Sequence, residues 1–387
     1  MIKFTSTRIL PPGKKGVIKP DENGYYTTVL GALNSLNSAG AYYPLTKEVR
    51  SLFESSSSFM RRISKGVLKA ELGHPKMEPG MTDMQYYQRI MDIREKHMLA
   101  HEIEDSIQDA IKNLTQHQEP DYIAALTTGF VKSLPGILNK RIKGMNFQVG
   151  GSFIHQKPLA KFIKAPYNKL KSPEIGDLLI VYKQIKNNEV LFNALLMQAK
   201  KNNDPWGMTY IPANDHQLTL YTKWPMFKYQ RAGMLNGQQR SVNPKTCTPG
   251  AQYLLIEENN PPHYVKFYTA PSSHIIQASR CFAFCLVDFI EFHTGKPFVE
   301  KKRGRIDDWS QMIWDLISLS ASSVFNRGKA GYNNVNRYHG DLLQCFIQKS
   351  DIQNNNDIPS NDEEGISIIY IEGQSNNDND IKRRERE

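Results

Sequence analysis

The segment Asp177-Leu178-Leu179-Ile180-Val181-Tyr182-Lys183, followed by Lys186-Asn187-Asn188-Glu189 and then Val190 to Lys200, reads as a β-hairpin. Two apolar runs flank a polar turn, the pattern of paired antiparallel strands. The midpoint of positions 177 and 198 falls between Asn187 and Asn188, so a hairpin closed there sets Asp177 beside Gln198. Side chains alternate along a strand, so Gln198 and Lys200 share a face. A carboxylate, an amide and an ammonium therefore converge at the open end. Glu174, just upstream, can supply a second carboxylate.

Phosphodiester cleavage uses a cluster of this kind. A carboxylate holds a hard divalent cation through oxygen, and Mg²⁺ takes one or two carboxylates plus water and phosphate. The ion polarises the scissile phosphate and supplies hydroxide near neutral pH. Lys200 can orient that water or stabilise charge on phosphorus. Gln198, being neutral, coordinates only through its carbonyl oxygen, so metal binding is expected to be weaker than with glutamate there. The bland alternative is a structural hairpin with an exposed polar end.

Beyond the hairpin, Tyr221-Thr222-Lys223-Trp224-Pro225-Met226-Phe227-Lys228-Tyr229-Gln230-Arg231 alternates bases with aromatics, and Arg240 and Lys245 follow. Lys223, Trp224, Lys228, Arg231 and Arg240 are candidate nucleic-acid contacts, with rings stacking on bases or sugars. The same pattern also fits an amphipathic surface strand with core aromatics. Asp307-Asp308-Trp309 reads as a helix start, with acids at the positive end of the dipole, rather than a second metal site. Cys281 and Cys285 lie in an apolar stretch and read as buried thiols, because no Cys/His set has zinc-site spacing.

Helices are expected over 46–54, 82–93, 102–114, 275–292 and 309–319, the third from the spacing of Ile103, Ile107, Ile111 and Leu114. Residues 1–101 otherwise read as short strands and turns. Residues 102–350 form the main body, and 351–387 read as an acidic polar tail interrupted by the apolar island Ile366-Ser367-Ile368-Ile369-Tyr370-Ile371. The tail carries ten acids against four bases in a chain of net charge +10. A basic body suits a polyanionic partner.

At 387 residues, 40% hydrophobic and 10% aromatic, the chain can bury a sizeable core and is not wholly disordered. It has no apolar run of ~18 residues and no secretory leader pattern, so a cytoplasmic protein without membrane segments is expected.

The Asp177…Gln198-x-Lys200 pattern resembles the PD-(D/E)XK nuclease superfamily, in its Mrr-like Asp…Gln-x-Lys variant. The resemblance implies an α/β restriction-endonuclease-like core, a mixed sheet flanked by helices. It implies Asp177 and Gln198 as ligands of Mg²⁺ or Mn²⁺, and Lys200 as the catalytic lysine beside Glu174. An acid on the preceding helix, Glu102 or Glu104, would complete the site. The implied activity is a metal-dependent DNA endonuclease of restriction or phage-associated type, with DNA as partner and a homodimer as assembly.

Gly16-Val17-Ile18-Lys19-Pro20, Asn37-Ser38-Ala39-Gly40-Ala41-Tyr42-Tyr43-Pro44 and Lys69-Ala70-Glu71-Leu72-Gly73-His74-Pro75 carry a second resemblance, to tailed-phage prohead serine proteases. It covers about residues 1–101 and implies a β-rich segment with His74 as the base. The required serine lies beyond the resemblance; Ser133 and Ser152 are available but sit in no matching segment. The change of resemblance near Met98 suggests a nuclease frame joined behind a truncated protease. The alternatives to the endonuclease are thus a prohead maturation protease or its inactive remnant, with capsid assembly components as partners, or a non-catalytic nucleic-acid-binding or capsid-associated protein.

Overall fold

The computed structural model describes residues 83–155, 158–186, 189–202, 208–212, 215–259, 264–272, 275–277, 280–300, 306–322, 341–354 and 365–376. In chain order, the described elements open with α1 (Asp83–Ile111), α2 (Glu119–Ala124), a π-helical turn (Ala125–Phe130) and α3 (Val131–Arg141). The strands β1 (Met145–Ser152), β2 (Leu159–Phe162), β3 (Leu178–Lys186), β4 (Glu189–Asn202) and β5 (Met208–Tyr210) follow. Next come α4 (His216–Lys223), β6 (Phe227–Gln230), β7 (Gln239–Arg240), β8 (Ala251–Asn259), β9 (Tyr264–Pro271), β10 (Ile275–Gln277) and β11 (Arg280–Cys281). The series ends with α5 (Phe282–Ile290), β12 (Lys296–Phe298), α6 (Asp308–Ser322), α7 (Leu342–Asn354) and β13 (Ser367–Ser375).

The hairpin is the centre of the fold. β3 and β4 pair antiparallel from Leu178↔Met197 to Lys186↔Glu189, the register that the polar turn predicts. A mixed sheet grows from both sides in the order β1-β13-β3-β4-β8-β9-β11, with β12 also on β4. β13 runs parallel to β3 and β8 parallel to β4; the remaining pairs are antiparallel. Two small sheets stand apart, β2-β6-β7 and β5-β10.

Strand alternation sorts the core into two layers. Leu178, Ile180 and Tyr182 of β3 join Leu195, Met197, Leu254 and Ile256 beneath α1, α3 and α5. Leu179 and Val181 join Leu196, Tyr253, Leu255 and Ile368 beneath α4, α6 and α7. With both faces covered, the central strands read as near-continuous apolar runs rather than alternating ones. Full burial of each such side chain contributes roughly 1.5–3 kcal/mol.

The helices follow local rules. Ile103, Ile107 and Ile111 recur every four residues on α1 and are at most 4% exposed, so one stripe seats it on the sheet. Gln118 and Asp121 form a capping box at α2, with Pro120 in the first turn. Asp307 caps α6, its Oδ1 accepting from Ser310 N at 3.0 Å. No helix among the described residues is long and apolar enough to cross a membrane.

The boundary expected at 101/102 falls within α1. Two expectations are revised. The apolar island of the expected tail is β13, an internal strand buried between β1 and β3. An internal parallel strand needs only a short apolar run, which polar flanks disguise as a tail. The helix expected over 275–292 contains β10 and β11 before α5, because apolar composition alone does not separate strand from helix. The N-terminal β-rich segment, the helix expected over 46–54 and His74 lie outside the described residues.

Candidate functional site

The open end of the hairpin faces the α4/α6 layer. Extending the β3–β4 register brings Asp177 beside Gln198, and Asp177 N donates to Met197 O at 2.9 Å. Asp177 Oδ2 accepts from Gln198 Nε2 and, at 2.7 Å, from Ala199 N. The approach to Asp177 is pinned by three bonds: Ala160 N to Pro173 O at 2.8 Å, Ile175 N to Pro158 O at 3.0 Å, and Tyr221 Oη–H to Ile175 O at 2.9 Å. At Gly176 the backbone passes so close to its neighbours that a Cβ would lie 2.7 Å from Leu196 Cδ1 and 3.0 Å from Tyr221 Oη. A larger residue there would have to push Leu196 and Tyr221 aside.

Glu174 hydrogen-bonds the Asp177 carboxyl. Burial, then the Glu174 charge, push Asp177 well above the usual carboxylate range; the Ala199 N–H and the Lys200 ammonium pull the other way and lose. Gln198 is 2% exposed and its Oε1 has no partner. Tyr253, its registered neighbour on β8, is fully buried and its hydroxyl is likewise unpartnered. Burial raises the Tyr253 phenol, with Asp215 and Asp177 adding.

α4 supplies a further wall. Asp215 caps it by accepting from Leu218 N at 2.8 Å. His216 is pushed down mainly by burial, against Asp215, with the Lys171 and Lys200 ammoniums reinforcing the shift and Glu174 opposing it. His216 is thus within electrostatic reach of Glu174 and Lys200. Asp215, His216, Tyr221 and Tyr253 come from a helix and a strand distant from the hairpin in sequence, and no local pattern marks them.

Asp177, Gln198, Glu174 and Lys200 therefore gather at one end of the hairpin, while the other proposed residues do not join them. Glu102 lies in the layer across the sheet, bonded to Arg141 Nε at 3.1 Å and Lys140 Nζ at 2.8 Å. Those cations hold its carboxyl down at about 2. Glu104, on the same helix, contacts Cys281 Sγ at 3.4 Å. Trp224 is fully buried, and Phe227 and Tyr229 are core residues too, so no ring of this stretch is available for base stacking. Arg240 is held by Asp315, Nη2 to Oδ2 at 2.6 Å. Lys223 and Arg231 are exposed and Lys228 is half-buried. Cys281 and Cys285 are free, buried thiols.

The comparisons with known proteins fall on the other end of the chain. A model of the Peptidase S80 family matches residues 4–133. The capsid maturation protease of Pseudomonas phage phiKZ is 44% identical over 92 residues, which are 23% of this chain and 34% of that protein. The chain thus matches about a third of the length of that curated relative. No solved structure matches.

These matches overturn the expectation of a Mg²⁺-dependent DNA endonuclease: they point to a peptidase, and none shows a PD-(D/E)XK domain. The physical reason is that a hairpin with a polar open end brings Asp, Gln and Lys together whatever its chemistry, and the spacing recurs by chance. The family match also runs past residue 101, through all of α1 and into α3. What the chain resembles, over its N-terminal third, is a phage prohead protease.

Proposed function

We propose that this chain is a phage capsid maturation serine protease, with capsid assembly proteins as substrates and His74 as general base. The observation that carries this is the Peptidase S80 match over residues 4–133, which spans the Gly73-His74-Pro75 segment. A histidine base needs a serine hydroxyl within hydrogen-bond reach and an oxyanion hole to stabilise the tetrahedral intermediate.

An inactive remnant of such a protease is the second reading, and one observation favours it. Ser133, where the family match ends, is committed to its helix: its Oγ donates to Phe130 O at 3.0 Å and also meets Ser106 Oγ. A hydroxyl so engaged is a poor nucleophile. A fluorophosphonate probe applied to the full chain separates the two. An active protease labels at one serine, and His74→Ala reduces labelling by at least roughly 100-fold, as expected for loss of a general base. No labelling of the folded wild-type chain assigns it to the remnant; labelling that survives His74→Ala removes His74 from the mechanism.

A further inference from the structure

The small sheet β2-β6-β7 turns an uncompensated positive face outward. Leu159 pairs with Gln230 and Lys161 with Lys228, so these four side chains share one face, while Phe227 and Tyr229 take the buried one. Lys161 and Lys228 are like charges directly opposite each other, a destabilising cross-strand pair. Beside them lies a cleft of about 600 Å³ whose walls include Lys171, Ser172, Lys228, Gln230 and Arg231, and no carboxylate. Among the described residues, Lys161, Lys171, Lys228 and Arg231 have no ion-pair partner. The sequence accounts for this, since no Asp or Glu occurs over 122–173 or over 216–256, the stretches that build the sheet. Arg240, on the same sheet, is compensated because α6 reaches it with Asp315 at 2.6 Å.

We propose that this cleft is the docking site for an acidic peptide segment of a partner protein, with carboxylates on Lys171, Lys228 and Arg231 and an aliphatic side chain on Met234. Carboxylates supply the charge that the sheet lacks, and an arginine fork takes one of them bidentately. The receiving groups are set in place beforehand. Ser172 Oγ donates to Gln230 Oε1 at 3.0 Å, which leaves the Gln230 amide hydrogens for the ligand. Arg231 sits in the left-handed region, at φ 51°, where the chain turns. That turn is closed by Gly237 N to Tyr229 O at 2.9 Å and by Ala232 N to Asn236 Oδ1 at 2.9 Å.

A nucleic acid brings the same sign of charge but draws on stacking platforms. The rings of this sheet and its approach, Trp224, Phe227 and Tyr229, are at most 1% exposed, and Tyr229 Oη–H donates to Asp315 Oδ2 at 3.1 Å. What the face offers instead is Met234, 73% exposed on the turn Gly233–Leu235, which leads directly into Asn236 of the cleft wall. A flexible thioether accommodates aliphatic side chains. Unpaired cations beside an exposed methionine suit a peptide that carries both carboxylates and an apolar residue. The site is independent of the protease reading, since its residues all lie beyond residue 133.

The test is fluorescence anisotropy of the full chain with a fluorescein-labelled, glutamate-rich peptide carrying one central leucine. At low salt a Kd of roughly 10–100 μM is expected, weakening at least about fivefold at physiological ionic strength. Lys228→Glu with Arg231→Glu should weaken binding at least about tenfold and create binding of a matching lysine-rich peptide, a gain that misfolding cannot imitate. Lys143→Glu with Lys186→Glu makes the same change of net charge at two other exposed lysines and should leave binding within about twofold of wild type. Met234→Ser should weaken the leucine peptide by about threefold and leave an all-glutamate peptide unaffected. The proposal is overturned if the wild-type chain does not bind the peptide, or if the Lys143 and Lys186 pair matters as much as Lys228 and Arg231. It is also overturned if Met234→Ser binds the leucine peptide as wild type does, or if a single-stranded oligonucleotide of equal charge binds more tightly, which would assign the face to nucleic acid.

Discussion

Two carboxyls on opposite sides of the sheet have moved in opposite directions. Glu102, on α1, is held down at about 2 by hydrogen bonds from Arg141 and then Lys140. Asp177, at the hairpin's end, is driven up by burial and by a second acid. Both accept hydrogen bonds, so bonding alone does not separate them. The difference is compensation: two cations serve one carboxylate at Glu102, whereas at Asp177 two carboxyls share the attraction of Lys200. An acid whose charge is balanced holds structure together, and one whose charge is not balanced is poised to take up a proton or an ion.

The contrast can be broken most forcefully at Asp177. Asp177→Ala leaves the Gln198 amide and the Ala199 N–H without their acceptor and should lower stability by about 2–3 kcal/mol. Urea unfolding in EDTA measures this, and Asp177→Asn, which keeps an acceptor oxygen, should cost clearly less. Equal losses from the two variants would mean the carboxyl's charge, not its hydrogen bonds, carries the effect. Gly176→Ala should come next, at about 1–2 kcal/mol, because its Cβ would press on Leu196 and Tyr221. A thermal midpoint unchanged from wild type would show that the approach to Asp177 is looser than the packing implies.

The smallest effect belongs to Arg141→Ala, because solvent screens the charges of a partly exposed ion pair. Its pH dependence sharpens the comparison. Glu102 titrates in the folded chain at about 2, against an ordinary value of 4.5. A depressed folded pKa stabilises above the ordinary value, and that contribution is lost as pH falls towards the folded one. The gap between wild type and Arg141→Ala should therefore be widest above pH 4.5 and close as pH drops towards 2. A gap constant across that range would remove Glu102 as its source.

How far such features can be read in advance depends on the reach of the contacts that make them. The β3–β4 register was legible because a hairpin is local: a polar turn and two apolar runs determine which residues oppose each other. The same reasoning placed Asp177 against Gln198. Tyr253 and His216 were not legible, since β8 and α4 reach the cluster only through tertiary packing. The aromatics of 221–231 show the same limit, for alternation with lysines fits a nucleic-acid surface and a buried strand equally, and burial chose the second for Trp224, Phe227 and Tyr229. β13 escaped for a related reason: its partners, β1 and β3, precede it by most of the domain. For function, the short Asp177…Gln198-x-Lys200 pattern is a weaker guide than the longer resemblance around Gly73-His74-Pro75, because few residues at a common spacing recur by chance.

The late position of β13 bears on how the molecule is made. β1 and β3 leave the ribosome early, but their shared partner is among the last described residues to be synthesised. Until Ser375 emerges, both edges stay open and Ile180, Val181 and Val149 lack the chain that covers them. A nascent molecule must hold an unfinished sheet while everything between Lys186 and Ser367 is made, and a stop upstream of Ser367 would strand it there.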